Sequence, residues 1–285
     1  MAQLSTTWTF FEGRWHEGNA PIMGARTHGA WMCSSVFDGG RRFEGVMPDI
    51  DMHVARVNAS AVHLGLAPVI SDAQWLELIA EGVAKFDPAV ALYIRPMYWA
   101  ESGYGGGVMF DPDTTNWCLC IYEAPMPDPT GPEITLSPFR RATHESAPVL
   151  AKTGSLYPNN SRALREATNR GFGNALVRDM LGNIAELANA NVFMVKDGVV
   201  KTPAPNGVFL NGVTRRRVIG LLRADGVEVQ ECALTYDDFL DADEIFSSGN
   251  FLKVAPIRGI DGRELQQGPL YRRARSLYWD FALSR

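Results

Sequence analysis

Residues 124–138 read Ala-Pro-Met-Pro-Asp-Pro-Thr-Gly-Pro-Glu-Ile-Thr-Leu-Ser-Pro, and five prolines fall within them: Pro125, Pro127, Pro129, Pro132 and Pro138. Proline lacks an amide donor and fixes φ, so neither a helix nor a central strand is expected to run through this stretch. Four of the five precede Glu133. The segment 125–133 is therefore expected to link a smaller N-terminal domain, residues 1–124, to a larger C-terminal one, residues 134–285, and a chain of 285 residues is long enough for both.

Upstream of the prolines, short runs rich in aromatic and β-branched residues (8–11, 14–15, 35–37, 41–43) alternate with turn signals at Glu12-Gly13 and Asp38-Gly39-Gly40, the pattern of hairpins. From Asp49 the period changes. Val54, Val57, Ala61 and Leu64 recur at helical spacing between a plausible Asp cap and Gly65, and a second helix is expected from Ser71 or Asp72 to Lys85. Residues 89–99 and 117–122 read as strands. Downstream, 160–182 has helical composition, 185–195, 198–202 and 227–232 read as strands with a hairpin signal at Lys196-Asp197-Gly198, and helices are expected from Thr214 to Asp225 and over 236–240. Both domains are α+β, with strands too irregularly interleaved for a doubly wound parallel sheet.

Composition narrows the function classes. Apolar residues are 46% and charged residues 21%, close to a globular average, which excludes disorder, collagen-like repeats and coiled coil. The 27 basic and 32 acidic residues leave a net charge of −5 without a basic block, so no nucleic-acid partner is expected. No apolar run approaches a membrane span, and residues 1–10 lack the basic and apolar regions of a secretion signal, so the expected location is the cytoplasm, without a membrane partner. Cys33, Cys118, Cys120 and Cys232 are scattered apart from one i, i+2 pair, in keeping with a reducing compartment. His16, His28, His53, His63 and His144 show no ligand spacing, and no metal is expected.

Seven strings carry chemistry. In chain order they are SSVFDG (34–39), HVARVNASA (53–61), YIRPMYW (93–99), AKTGSLY (151–157), ELANANVF (186–193), LNGVTR (210–215) and SSGNFLKVAPI (247–257). Their kinds and order resemble the fold type IV pyridoxal-phosphate enzymes, specifically the branched-chain aminotransferases, across most of the chain. The resemblance implies a two-domain α+β fold with pyridoxal 5'-phosphate in the interdomain cleft. It also implies a homodimer or larger homo-oligomer, and transfer of an amino group between a branched-chain-like amino acid and a 2-oxo acid.

Residue by residue, Lys152 matches the lysine that forms a Schiff base with the aldehyde and shuttles the substrate's α-proton; the adjoining Val149-Leu150-Ala151 reads as a strand entering a buried site. Tyr157 follows it at the family's spacing. Glu186 matches the carboxylate facing the pyridine nitrogen, which strengthens the ring as an electron sink. Gly212, Val213 and Thr214 begin a helix after a turn, where glycine admits close approach and free N–H groups point outward, and in the family this turn holds the phosphate. Arg56 matches the phosphate-binding arginine. Tyr93 and Arg95, at i, i+2 on one side of a strand, match positions that meet substrate carboxylates, and Phe37 matches an aromatic of the side-chain pocket. The glycine-rich 101–108 (ESGYGGGV) stands where the family has a loop covering the neighbouring subunit's site, and reads as a mobile lid or a plain flexible turn.

Three positions depart from the family. Asn250 and Phe251 replace a threonine and a small residue after Gly249, where Asn250 still falls at the cofactor and Phe251 at the substrate, and Met32 replaces a pocket tyrosine. These departures keep D-amino-acid or (R)-amine aminotransferase, or aminodeoxychorismate lyase, open as alternatives on the same fold.

Overall fold

A computed structural model describes residues 4–284; residues 1–3, on which the reading of the N-terminus partly rests, lie outside it. Contacts divide the chain into two units. One holds the chain up to Met126 together with Ala151–Ser155, and the other holds Pro127–Leu150 and Leu156–Arg285. The sequence grouped Ala151–Ser155 with the later residues. By its contacts it belongs with the first unit, where Thr153 bridges Val36 and Ala151 is part of the core.

The first unit contains strands β1 (Thr7–Phe11) and β2 (Arg14–Glu17), helix α1 (His28–Trp31), strands β3 (Ser35–Phe37) and β4 (Gly40–Arg42), helices α2 (Ile50–Leu64) and α3 (Asp72–Val83), and strands β5 (Leu92–Ala100) and β6 (Thr115–Glu123). The strands form one antiparallel sheet in the order β2-β1-β6-β5-β3, with β4 also paired to β5. Helix α2 forms where the apolar period is 3.6, and its Val54, Val57 and Ala61 are fully buried against the sheet with Trp75, Ile79, Ile94 and Ile121. Gly65 ends it at φ 97, with its N–H on Ala61 O, a left-handed cap that glycine adopts without strain. Asp49 does not cap the start through its side chain and itself takes φ 57. Helix α3 is capped by Ser71, one of the two expected caps, which forms a capping box with Gln74.

The second unit contains β7 (Glu133–Arg140), α4 (Tyr157–Asn169), β8 (Asn174–Arg178), β9 (Ile184–Leu187), β10 (Asn191–Lys196), β11 (Val199–Pro203), α5 (Val213–Ala224), β12 (Val229–Cys232), α6 (Tyr236–Leu240), β13 (Glu244–Gly249), β14 (Lys253–Pro256), β15 (Gly259–Ile260), β16 (Arg263–Glu264) and α7 (Pro269–Leu283). Two five-stranded sheets run β12-β11-β10-β13-β14 and β16-β15-β7-β8-β9, with Val192, Met194 and Ile245 of one and Ile134, Leu176 and Leu187 of the other in a shared core.

Three segments differ from expectation. Strand β7 runs through Pro138, because the register breaks between Leu136 and Arg140 and the proline sits in that irregularity, where no ladder donor is required. The helix expected over 160–182 stops at Asn169. Residues Asn174–Arg178 are a strand whose first four residues are buried, so tertiary burial overrides helical composition. The single strand expected over 185–195 is two, β9 and β10, turned by residues 188–190. All four cysteines are free thiols. Among the described residues no helix is long and apolar enough to cross a membrane, and no group of three or more His, Cys, Asp or Glu could hold a metal.

Candidate active site

Alternation on β5 sends Leu92 and Ile94 into the core under the helices, and so sends Tyr93, Arg95 and Met97 to the sheet's other face. Register does the rest. Phe37 of β3 lies opposite Met97, Arg41 of β4 and Tyr122 of β6 lie opposite Tyr93, and Cys120 lies opposite Arg95. The rings of Tyr93 and Tyr122 stack with centroids 5.4 Å apart, and the Arg95 guanidinium lies 5.3 Å and 5.1 Å from them. Arg95 donates to the Tyr122 hydroxyl, while its Nε is buried without a partner. Burial raises the Tyr93 hydroxyl's pKa, and Lys152 and Arg95 pull against that rise, so the hydroxyl stays protonated at neutral pH. Gly39 makes room for it: a Cβ there would fall 2.1 Å from the Tyr93 oxygen.

Lys152 reaches this face by being tied to β3. Phe37 N–H donates to Lys152 O (3.0 Å), Lys152 N–H donates to Ser60 Oγ (3.1 Å), and Thr153 Oγ1 donates to Ser35 O (2.8 Å). Its Nζ lies 4.9 Å from the centroid of the Phe37 ring. The strand expected over Val149-Leu150-Ala151 is instead a turn, with Leu150 exposed and Ala151 buried; the backbone bonds to β3 and α2 position the lysine.

Arg56 is no surface arginine. Its Nε and Nη2 meet the two oxygens of Asp38 at 2.6 Å and 2.8 Å, and His53 Nδ1 lies 2.7 Å from Asp38 Oδ1. Asp38 is fully buried. Burial alone pushes its carboxyl pKa up, but Arg56 and His53 more than reverse this and hold it well below the usual carboxylate range. Asp38 thus fixes the plane of the Arg56 guanidinium, and the residue lies in the quoted SSVFDG string without having been assigned a role.

The remaining predicted residues belong to the second unit. Glu186 on β9 takes an ion pair from Arg141 (2.9 Å) and a hydrogen bond from Asn191 Nδ2 (3.3 Å). Asn191 also donates to Leu210 O (3.0 Å), the carbonyl just before the turn into α5. Gly212 is the N-cap of α5, and a Cβ on it would lie 2.2 Å from Asn191 Oδ1, so any larger residue would displace the Asn191 amide. Val213 and Thr214 follow, both buried, with their N–H groups in the first turn, which has no intrahelical acceptors. Arg215 braces this turn, donating to Asn211 Oδ1 (2.8 Å), Pro203 O (2.8 Å) and Glu231 (3.0 Å). Asn250 is half-buried in the turn between β13 and β14, next to exposed Phe251, and Tyr157 is the first residue of α4.

The first unit therefore brings Phe37, Tyr93, Arg95 and Lys152 together, with Arg56 held by Asp38. The second gathers Glu186 with Gly212, Val213 and Thr214 through Asn191. Sequence reasoning missed Asp38, Tyr122, Arg141 and Asn191. Asp38 and Asn191 stand inside quoted strings, whereas Tyr122 and Arg141 join the clusters only through strand pairing and a long-range ion pair.

The chain's likeness to known proteins runs over the same residues. Residues 35–260 match the family described as amino-transferase class IV. An aminotransferase from Brucella abortus, bound to the cofactor PLP in its crystal structure, is 52% identical and superposes with a TM-score of 0.96 over 98% of this chain and 99% of its own. A branched-chain aminotransferase from the thermophilic archaeon Thermoproteus uzoniensis, solved with norvaline, is 25% identical, with a TM-score of 0.89 over 98% and 96% of the two chains. The branched-chain-amino-acid aminotransferase of Pseudomonas aeruginosa is 27% identical over 278 residues, 94% of this chain and 89% of its own length.

Proposed function

The chain belongs to the class IV aminotransferase family and is a pyridoxal-phosphate-dependent transaminase acting on amino and 2-oxo acids, and from that premise we propose how its own residues divide the work. The observation that carries the proposal is the amine of Lys152 on the sheet face that also presents Tyr93, Arg95 and the Phe37 ring. An amine there can act on the substrate's α-carbon while a guanidinium meets a carboxylate.

The residues present fit the cofactor. Its phosphate needs hydrogen-bond donors and positive charge, and the first turn of α5 supplies N–H groups while buried Ser248 Oγ on β13 and Asn250 Nδ2 just after it have no partner. Its ring nitrogen needs a carboxylate, which Glu186 supplies. When bound, pyridoxal phosphate supplies an aldehyde that accepts the amino group and a protonated ring that delocalises the electrons left at the α-carbon. The residues assigned to the cofactor are Lys152, Arg56, Tyr157, Glu186, Gly212, Val213, Thr214 and Asn250.

Lys152 Nζ takes the α-proton in one half-reaction and returns one in the other. Arg141 and Asn191 orient the Glu186 carboxylate. Asp38 holds Arg56 for the phosphate. Arg95, with Tyr93 and Tyr122 against its faces, pairs with a substrate carboxylate, which makes glutamate and 2-oxoglutarate one donor and acceptor pair. Phe37 and Phe251 are the aromatic residues assigned to the substrate side chain, and a branched-chain-like donor is the other partner. Exposed Trp31, Val108 and Met109 support a homodimer, and four free thiols support a cytoplasmic location.

Loading the protein with pyridoxal phosphate and mixing it with L-amino acids, D-amino acids and (R)-amines tests this reading. The absorbance of the bound cofactor should fall with L-glutamate and with L-valine, L-leucine or L-isoleucine. A response to D-amino acids or (R)-amines alone moves the chain to the alternative activities, and no response to any donor refutes the residue assignment.

A further inference from the structure

The polar residues at the end of β13 carry more than the functional reading uses. Ser248 is 1% exposed, and its Oγ has no hydrogen-bond partner. It faces the start of α5, because its partner across the ladder is Asn191, the residue that bonds Leu210 O and lies against Gly212. Asn250 follows two residues later, and its Nδ2 is also buried without a partner. A buried donor left without an acceptor is costly, and two such donors at one strand end, the first facing the start of α5, call for an anion.

Lys253 decides which way Asn250 points. It is fully buried at the first position of β14, takes φ 57, pairs with Gly249, and donates from Nζ to Asn250 Oδ1 at 2.6 Å. An ammonium has only donors, so the amide oxygen must face it and Nδ2 must face the other way. A buried ammonium is also tolerated far better beside negative charge than in apolar surroundings.

We propose that Lys253 is a positioning residue for the cofactor phosphate: it clamps the Asn250 amide so that Nδ2, together with Ser248 Oγ, donates to the phosphate at the start of α5. This rests on the functional reading above and adds to it a lysine. It also explains how an asparagine can replace the expected threonine: the longer amide offers a donor only if its oxygen is held back, and Lys253 holds it.

The test compares binding of pyridoxal 5'-phosphate with binding of pyridoxal, which lacks the phosphate, in wild type, Lys253→Met and Asn250→Asp. The aspartate keeps an oxygen for Lys253 but replaces the Nδ2 donor with an acceptor. Both variants should weaken pyridoxal 5'-phosphate about ten-fold or more and leave pyridoxal within about two-fold, and Asn250→Asp should keep the thermal stability of wild type. A brace of the hairpin alone predicts the reverse: Lys253→Met losing stability and both ligands together, and Asn250→Asp binding pyridoxal 5'-phosphate as wild type does. That result, or full affinity in Asn250→Asp should Lys253→Met fail to fold, overturns the inference while the functional reading stands. A wild-type protein that does not bind pyridoxal 5'-phosphate overturns both.

Discussion

Lys152 and Lys253 occupy opposite kinds of environment. Lys253 is fully buried, with its ammonium on an amide oxygen and its backbone in a left-handed conformation. Lys152 is half-buried, held by backbone bonds, with its amine 4.9 Å from the centroid of the Phe37 ring. Burial alone would point to Lys253 as the functional amine, since desolvation is what favours a neutral lysine. But a nucleophile must also reach a substrate, and an amine enclosed on every side cannot. On our proposal the first region recognises through side chains on one sheet face, and the second through backbone N–H groups and a clamped amide. Side-chain truncation should therefore alter turnover and substrate choice in the first region and cofactor affinity in the second.

The largest effect should come from Lys152→Ala. Loss of the proton-transferring amine costs about 10²- to 10⁴-fold on its own, and turnover should fall at least that far while the thermal midpoint stays near that of wild type. Activity and calorimetry on one preparation check both. Arg56→Ala comes next, and unlike Lys152→Ala it should act twice. Asp38 loses its bidentate partner while fully buried, so stability should fall by about 3 kcal/mol or more, and the loss of a charged phosphate pair should weaken the cofactor by about 1.5–3 kcal/mol. A variant that loses affinity without stability would show that Asp38 does not depend on Arg56.

Arg95→Ala should raise KM for glutamate or 2-oxoglutarate about ten-fold, equivalent to about 1.4 kcal/mol, with a smaller effect on an apolar donor. Half-reaction kinetics run separately for the two donors read this out. Equal losses would make Arg95 a brace between Tyr93 and Tyr122. The smallest effect concerns acid. Because the folded state holds the Asp38 carboxyl below its ordinary value of 3.8, this group's stabilisation is complete above that pH and drains away as pH falls toward the native pKa, at about 1.4 kcal/mol per pH unit. Asp38→Asn should be less stable than wild type near neutral pH but show a shallower loss below about pH 4 in urea titrations at fixed pH.

How much of this was legible depends on whether the information is local. Helices α2, α3 and α5 carry it in period and punctuation, and all three form. The β8 segment does not, since Asn-Ala-Leu-Val-Arg suits either state and only its burial beside β7 makes it a strand. Pro138 misled in the other direction: a strand can pass a proline where its register already breaks. Among the residues proposed for the site, Lys152, Glu186 and the α5 turn could be picked out because each sits in a distinctive string. The Arg141–Glu186 pair joins residues far apart in the chain, and the Tyr93–Tyr122 stack needs the β5–β6 register; neither leaves a mark in either local string. Lys253 stands in SSGNFLKVAPI, where nothing local marks it as buried.

The contrast between the two lysines permits the most direct test of the account. Borohydride reduction of the pyridoxal-phosphate-loaded protein fixes the cofactor covalently to whichever amine it has joined, and peptide mass mapping then locates it. The account predicts a phosphopyridoxyl group on the peptide containing Lys152 and an unmodified Lys253; label on Lys253, or on any lysine other than Lys152, would contradict it.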